Sequence, residues 1–213
     1  MNRTSRPAYW TRAKRALAAS DATMARIIAE HPRVALGSRG DAFSTLARSI
    51  VGQQISVRAA DAVWGRFCTT CGELTPKSVL RRRATTLRAC GLSERKVEYI
   101  RDLCAHFISG RVDPSRFGEQ DDETIIAELM DIRGIGRWTA EMFLIFNLLR
   151  PNVLPLDDLG LLRAVSLHYL DGEPIVGREG RGRVESLAMD WAPWRSVATW
   201  YLWRSLDPVP VEY

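Results

Sequence analysis

With 213 residues, 46% of them apolar, the chain can fold throughout as one large domain or two small ones. No apolar run is long enough to span a membrane, and the basic N-terminus lacks the apolar core of a signal peptide. The expected location is therefore the cytoplasm, on the nucleoid if the cell is bacterial. The excess of 30 Lys and Arg over 25 Asp and Glu is modest but clustered. Arg3, Arg6, Arg12, Lys14 and Arg15 precede the first acid, Asp21; Arg81, Arg82 and Arg83 form a second knot, and Arg178, Arg181 and Arg183 a third. Such knots suit a polyanion, and each by itself equally suits a solvated surface.

Helical periodicity dominates, and period-2 alternation is nearly absent, so the fold class is all-α. "RPAYWTRAKRALAAS" and "SDATMARIIAEH" read as two helices, the second capped by Ser20 or Asp21 and ended by His31-Pro32. "DAFSTLARSIVGQQI" is a third, and "SVRAADAVWGRFCTTC" starts from a cap at Ser56. "TPKSVLRR" and "RATTLRACG" are short; "SERKVEYIRDLCAHFISG" is long, capped by Ser93 and closed by Gly110. "DDETIIAELMDI" carries acids in its first turn, where they suit a helix N-terminus. "RWTAEMFLIFNLL" is nearly all apolar and reads as a buried central helix. "DLGLLRAVSLHYL" and "PWRSVATWYLWRSL" follow, with "GEPIVGREGRGR" between them read as loop. Cys68 and Cys71 form a C-x-x-C at the end of a helix. No second close pair follows and histidines are few, so structural, reduced thiols are expected.

The corner "LMDIRGIGRWTAEMF" joins two of these helices in a tight hairpin. Gly134 can take a positive φ, and Gly136 removes a side chain where something must come close. The helix that follows offers unpaired amides and the positive end of its dipole. Arg133 and Arg137 flank the bend, with no acid in the chain between Asp131 and Glu141. Ile132 and Ile135 would face inward and lock it. Together these features bind an anion, and a DNA phosphate is the natural guest. A plain glycine-rich connector is the alternative.

"LMDIRGIGRWTAEMF" followed by "VLPLDDLGLLRAV" resembles the helix-hairpin-helix DNA glycosylases, with their Gly/Pro-rich loop and catalytic aspartate (HhH-GPD). "SIVGQQISVRAA" and "APWRSVATWYLW" narrow the resemblance to the DNA-3-methyladenine glycosylase II (AlkA-like) branch, over roughly Asp41 to the C-terminus. It implies two helical lobes around an interlobe active-site cleft. Residues 1–40 and 150–213 would form one lobe; residues 41–149 would form the other, with the hairpin at about 127–146. It implies a phosphate-binding hairpin of Arg133, Gly134, Ile135, Gly136, Arg137 and Thr139. Its catalytic aspartate maps to Asp158, leaving Asp157 as helix cap or support. The base pocket maps to Trp138, Met142 and Trp203, with Met142 where relatives carry a tyrosine. The intercalating wedge maps to Gln54, with Gln53 beside it, where some relatives are apolar. A structural role is open for each: a cap for either aspartate, packing for the tryptophans, a polar helix end for the glutamines.

A carboxylate held beside a sugar stabilises the oxocarbenium-like transition state of N-glycosidic cleavage and can orient or deprotonate the attacking water. An alkylated base is already cationic, so no acid partner is required, unlike in sugar hydrolases. The expected activity is excision of 3-methyladenine, with 7-methylguanine as a further substrate, from duplex DNA by base flipping in base excision repair. Glycosylases that also nick the backbone carry a lysine where Trp138 stands, so no lyase step is expected. No cysteine follows Cys104, so no iron–sulfur cluster is expected. No catalytic metal or other cofactor is expected beyond a monovalent cation at the hairpin carbonyls. The partner is double-stranded DNA with alkylated bases, bound by a monomer, with no membrane. Two rivals stay open: a non-catalytic hairpin module that only grips DNA, and a glycosylase for a neutral lesion or mismatch.

Overall fold

A computed structural model of the chain describes residues 6–32, 35–38 and 40–206; Arg3 of the N-terminal basic cluster lies outside them. In chain order the helices are α1 (Trp10–Ser20), α2 (Ala22–Glu30), α3 (Ala42–Gly52) and α4 (Val57–Cys71). Then come α5 (Pro76–Leu80), α6 (Ala84–Ala89), α7 (Glu94–Ser109), a 3-10 turn (Pro114–Arg116) and α8 (Asp122–Met130). The last four are α9 (Arg137–Phe146), α10 (Leu159–Tyr169), α11 (Gly177–Leu187) and α12 (Arg195–Leu206). Among the described residues no strand occurs, and no helix is long and apolar enough to cross a membrane. The all-α reading of the periodicity therefore holds.

Start signals in the sequence become real caps. Asp21, Asp41, Ser56, Thr75, Ser93, Asp121 and Asp158 each accept an amide of the helix they open. Gly110 closes α7 at φ +73°, in the left-handed region that glycine tolerates best.

The described residues divide into two compact units, one running up to Ser38 and again from Leu144, the other from residue 40 to Phe143. In the first unit α12 packs on α1, α2 and α10 and is buried on every side from Ser196 to Arg204. Asp21 ties this unit together. Its Oδ1 accepts the Met24 amide at 2.9 Å, while its Oδ2 accepts the Tyr169 hydroxyl at 2.6 Å and the Trp191 indole N–H at 3.0 Å. The segment read as loop, 172–183, is a finding against expectation: α11 starts within it at Gly177. Its glycines give poor intrinsic propensity. Burial of Val184 and the pairing of Arg183 with Glu173 and Arg181 with Asp157 offset that.

In the second unit α7 packs on α3, α5 and α6, and α4 on α3 and α6. Cys71, Cys90 and Cys104 are buried there, and all four cysteines are free thiols. Burial pushes Cys71 up to about 11 and Cys104 up to about 12, so both stay protonated and unreactive at neutral pH.

Candidate active site

The bend from α8 to α9 is anchored by Ile132 and Ile135, both buried, with the Ile135 amide donating to the Ile132 carbonyl at 3.1 Å. Glycine is required at 134 for two reasons. The backbone sits at φ +85°, and a Cβ there would run into the Tyr99 ring. Gly136 is exposed, and a Cβ on it would meet nothing of the chain within 4 Å. Any close approach at Gly136 therefore has to come from a guest. Arg133 is exposed, but its backbone amide is already donated to Asp102 Oδ2 at 2.8 Å.

Arg137 corrects the picture of an acid-free corner. The sequence around it holds no acid up to Glu141, yet Glu123 arrives from α8. The Arg137 guanidinium grips both oxygens of Glu123, and its Nε donates to Glu141 at 3.1 Å. Hydrogen bonding with Glu123 holds the guanidinium above its ordinary range and the Glu123 carboxyl below its own. Arg137 is thus a compensated charge. Thr139 and Ile135 are buried, so they shape the bend from inside.

The turn from α3 to α4 runs through Gln53, Gln54 and Ile55. The two glutamines, grouped together by position, are separated by the structure. Gln53 turns back and donates Nε2 to the Gly134 carbonyl at 2.7 Å. Gln54 is exposed, at the tip, with φ +59°. The Lys96 ammonium donates to the carbonyls of Val51 and Gln53, at 2.8 Å each. Beside this turn lies a mainly apolar cavity of about 470 Å³, lined by Gln53, Gln54 and Ile55 on one side and by Trp138, Thr139 and Met142 of α9 on the other.

Asp158 lies in the first unit and is 4% exposed. Its Oδ1 accepts two hydrogen bonds of 2.7 Å, from the Leu161 amide and from the Trp203 indole N–H. Trp203 stacks on Phe146 with centroids 5.7 Å apart and planes 13° apart. Gly160 makes room: a Cβ there would stand 3.1 Å from both Asp158 Oδ1 and Trp203 Cδ1. A carboxylate so placed is fixed in orientation and faces the positive end of α10.

Asp157 is corrected as well. Asp158 itself caps α10, and Asp157, with 58% of its side chain exposed, pairs with Arg181 at 3.0 Å. Both the cap and the buried carboxylate are one residue. Sequence reading missed Lys96, Tyr99, Asp102 and Gly160. The first three recur at helical spacing on α7, which was a usable signal; Gly160 is silent until the indole beside it is seen.

The glycine-cornered hairpin and the tip residue over an apolar cavity belong to the second unit, and the desolvated carboxylate at a helix start to the first. The family follows from comparison: residues 47–192 match the HhH-GPD superfamily of base excision DNA repair proteins. The chain belongs to that superfamily. It is 34% identical over 168 residues to DNA-3-methyladenine glycosylase 1 of Schizosaccharomyces pombe, covering 76% of this chain and 72% of that protein. The crystal structure of a DNA-3-methyladenine glycosidase from Bacillus halodurans superposes with a TM-score of 0.82 at 36% identity, covering 92% of this chain and 89% of that one. A Schizosaccharomyces pombe 3-methyladenine DNA glycosylase in complex with abasic DNA superposes with a TM-score of 0.73 at 30% identity, covering 91% of this chain and 96% of that one.

Proposed function

We propose that this chain is a monofunctional DNA-3-methyladenine glycosylase of the type II branch. It flips 3-methyladenine, and 7-methylguanine after it, out of duplex DNA and hydrolyses the bond between base and sugar. The observation that carries the reading is Asp158: a carboxylate 4% exposed, with Oδ1 held by two donors. A carboxylate is expensive to bury, and a chain needing only a cap could use Ser or Thr.

In the proposed step a water oxygen bonds to C1′ while the C1′–N bond breaks. The electron pair goes to the cationic base, which leaves neutral. The water proton passes by way of Asp158 to solvent. Asp158 holds the developing positive charge on the sugar throughout. Trp138 and Met142 line the cavity that would receive part of the flipped base, and Trp203 offers an electron-rich face to a cation. Gln54 would fill the gap left in the duplex. Exposed Arg133 and the open surface over Gly136 would meet the phosphates. Trp138 occupies the hairpin position where a Schiff-base lysine would be needed, so the product is an intact strand with an abasic site.

A monovalent cation at the hairpin would be held by backbone carbonyls, hard oxygen donors without charge. Those of Ile132 and Gly134 already accept one hydrogen bond each and would share their second lone pair.

The test is release of free bases from methylated duplex DNA, separated chromatographically, with strand nicking followed in parallel. Release of 3-methyladenine without enzyme-dependent nicking is expected. Asp158→Asn, which preserves the cap, should lose release by at least about 100-fold, the scale of one lost electrostatic contact to a developing charge, and keep DNA binding. Excision by Asp158→Asn at the wild-type rate would refute the assignment.

A further inference from the structure

One face of α7 touches both loops that the proposed function sends to the DNA. Lys96, Tyr99, Asp102 and His106 are spaced by three or four residues and therefore share a side of the helix. Lys96 Nζ donates to the carbonyls of Val51 and Gln53, the last turn of α3 and the start of the tip turn. The Tyr99 ring fills the space that only a glycine at 134 leaves. Asp102 Oδ2 accepts the Arg133 amide at 2.8 Å. His106 is buried and bonds through Nε2 to Asp131 Oδ2 at 3.0 Å, at the entrance to the same bend. Gln53 closes the circuit from the other side, Nε2 to the Gly134 carbonyl.

We propose that Lys96 is a positioning residue: by holding the Val51 and Gln53 carbonyls it locks Gln54 in register with the Gly134 hairpin, so that gripping the backbone and filling the flipped-out gap act as one event. Three points argue for this over simple capping. A cation at the end of α3 satisfies orphan carbonyls and complements the dipole, which any nearby lysine could do. Here, however, the second carbonyl belongs to Gln53, whose side chain is the one that reaches the hairpin. The ammonium also gives up solvent to do so, and burial holds it below its ordinary range. The next residue, Gln54, sits at φ +59°, a backbone state that a non-glycine residue keeps only where its surroundings impose it.

The inference rests on the proposed function, and the experiment separates the two. Affinities are measured for two duplexes of one sequence, one undamaged and one carrying a tetrahydrofuran abasic analogue, with wild type, Lys96→Met, Lys96→Arg, Gln54→Ala and Lys96→Met/Gln54→Ala. Lys96→Met should hold undamaged duplex within about twofold of wild type but lose about tenfold on the abasic analogue, the scale of one charge-assisted hydrogen bond. Lys96→Arg, which can still donate to both carbonyls, should restore most of that loss. The double variant should lose no more than the worse single one, because both act through the same tip. Equal losses on both duplexes, no loss at all, or additive losses in the double variant overturn the inference. If Lys96→Met lacks the wild-type circular dichroism, Lys96→Leu takes its place and the same outcomes decide. A wild-type chain with no preference for the abasic duplex would overturn the proposed function, and this inference with it. A preference left intact by the variants would overturn this inference alone.

Discussion

Replacing Trp203 with Phe isolates one hydrogen bond. The ring that remains can keep the stack on Phe146, now at 5.7 Å and 13°, while the indole N–H that meets Asp158 Oδ1 at 2.7 Å is gone. The Leu161 amide still holds Oδ1 at 2.7 Å, so the carboxylate loses one of these two donors and retains its cap. A hydrogen bond to a charged group contributes about 1.5–3 kcal/mol. Because Asp158 is 4% exposed, solvent supplies little replacement. If half of that loss falls on the transition state, the single-turnover excision rate drops about three- to twelvefold, at about 1.4 kcal/mol per factor of ten. Affinity for undamaged duplex should stay within about twofold, since Asp158 is not among the proposed phosphate contacts. The assay is single-turnover release of 3-methyladenine from methylated duplex at saturating enzyme, paired with a binding titration. A rate within twofold of wild type would show that the indole N–H does not support the carboxylate, and Trp203 would then be an aromatic wall only.

Gly134→Ala should destabilise the chain by about 2–4 kcal/mol, read as a lower denaturant midpoint: left-handed backbone costs about 1–2 kcal/mol and overpacking against Tyr99 about as much again. Adding Tyr99→Ala should recover only the second part, and full recovery would rule out backbone strain as a cause. Asp21→Ala removes the α2 cap, about 1 kcal/mol, and strands the Tyr169 hydroxyl and Trp191 N–H, about 1 kcal/mol or more each. A fall in Tm of less than about 4 °C would sink that sum. Glu123→Gln should release Arg137 toward the DNA, raise affinity for undamaged duplex about two- to fivefold at low salt, and steepen the salt dependence. An unchanged salt slope would mean that Arg137 faces no phosphate.

The helices were legible because their apolar spacing and Ser, Thr or Asp caps are local. The hairpin was legible because a left-handed glycine between two inward isoleucines has few other uses. What stayed hidden was pairing between residues far apart in the chain. In "GQQIS" the wedge maps to Gln54 with Gln53 beside it, and nothing there shows that the Gln53 side chain is held by the Gly134 carbonyl, 81 positions on. Arg137 looks like a waiting cation until Glu123 is seen to hold it, 14 positions earlier. Asp157 and Asp158 compete for one cap, and Asp158 takes it with an oxygen that an indole 45 positions later also shares. The α11 segment failed for the opposite reason. Three glycines lower local preference, and tertiary burial of Val184 overrode it.

The left-handed backbone of Gln54 restricts what evolution or an engineer can put at that tip. Valine and isoleucine, the compact stiff residues one would choose to plug a base-sized void, carry two heavy atoms on Cβ and are the side chains that conformation tolerates least. The shapes left are glycine, which has no side chain, and chains unbranched at Cβ such as glutamine, leucine or methionine. Branching at Cβ is therefore filtered before polarity, and that backbone accepts an amide-tipped chain and an isobutyl group alike.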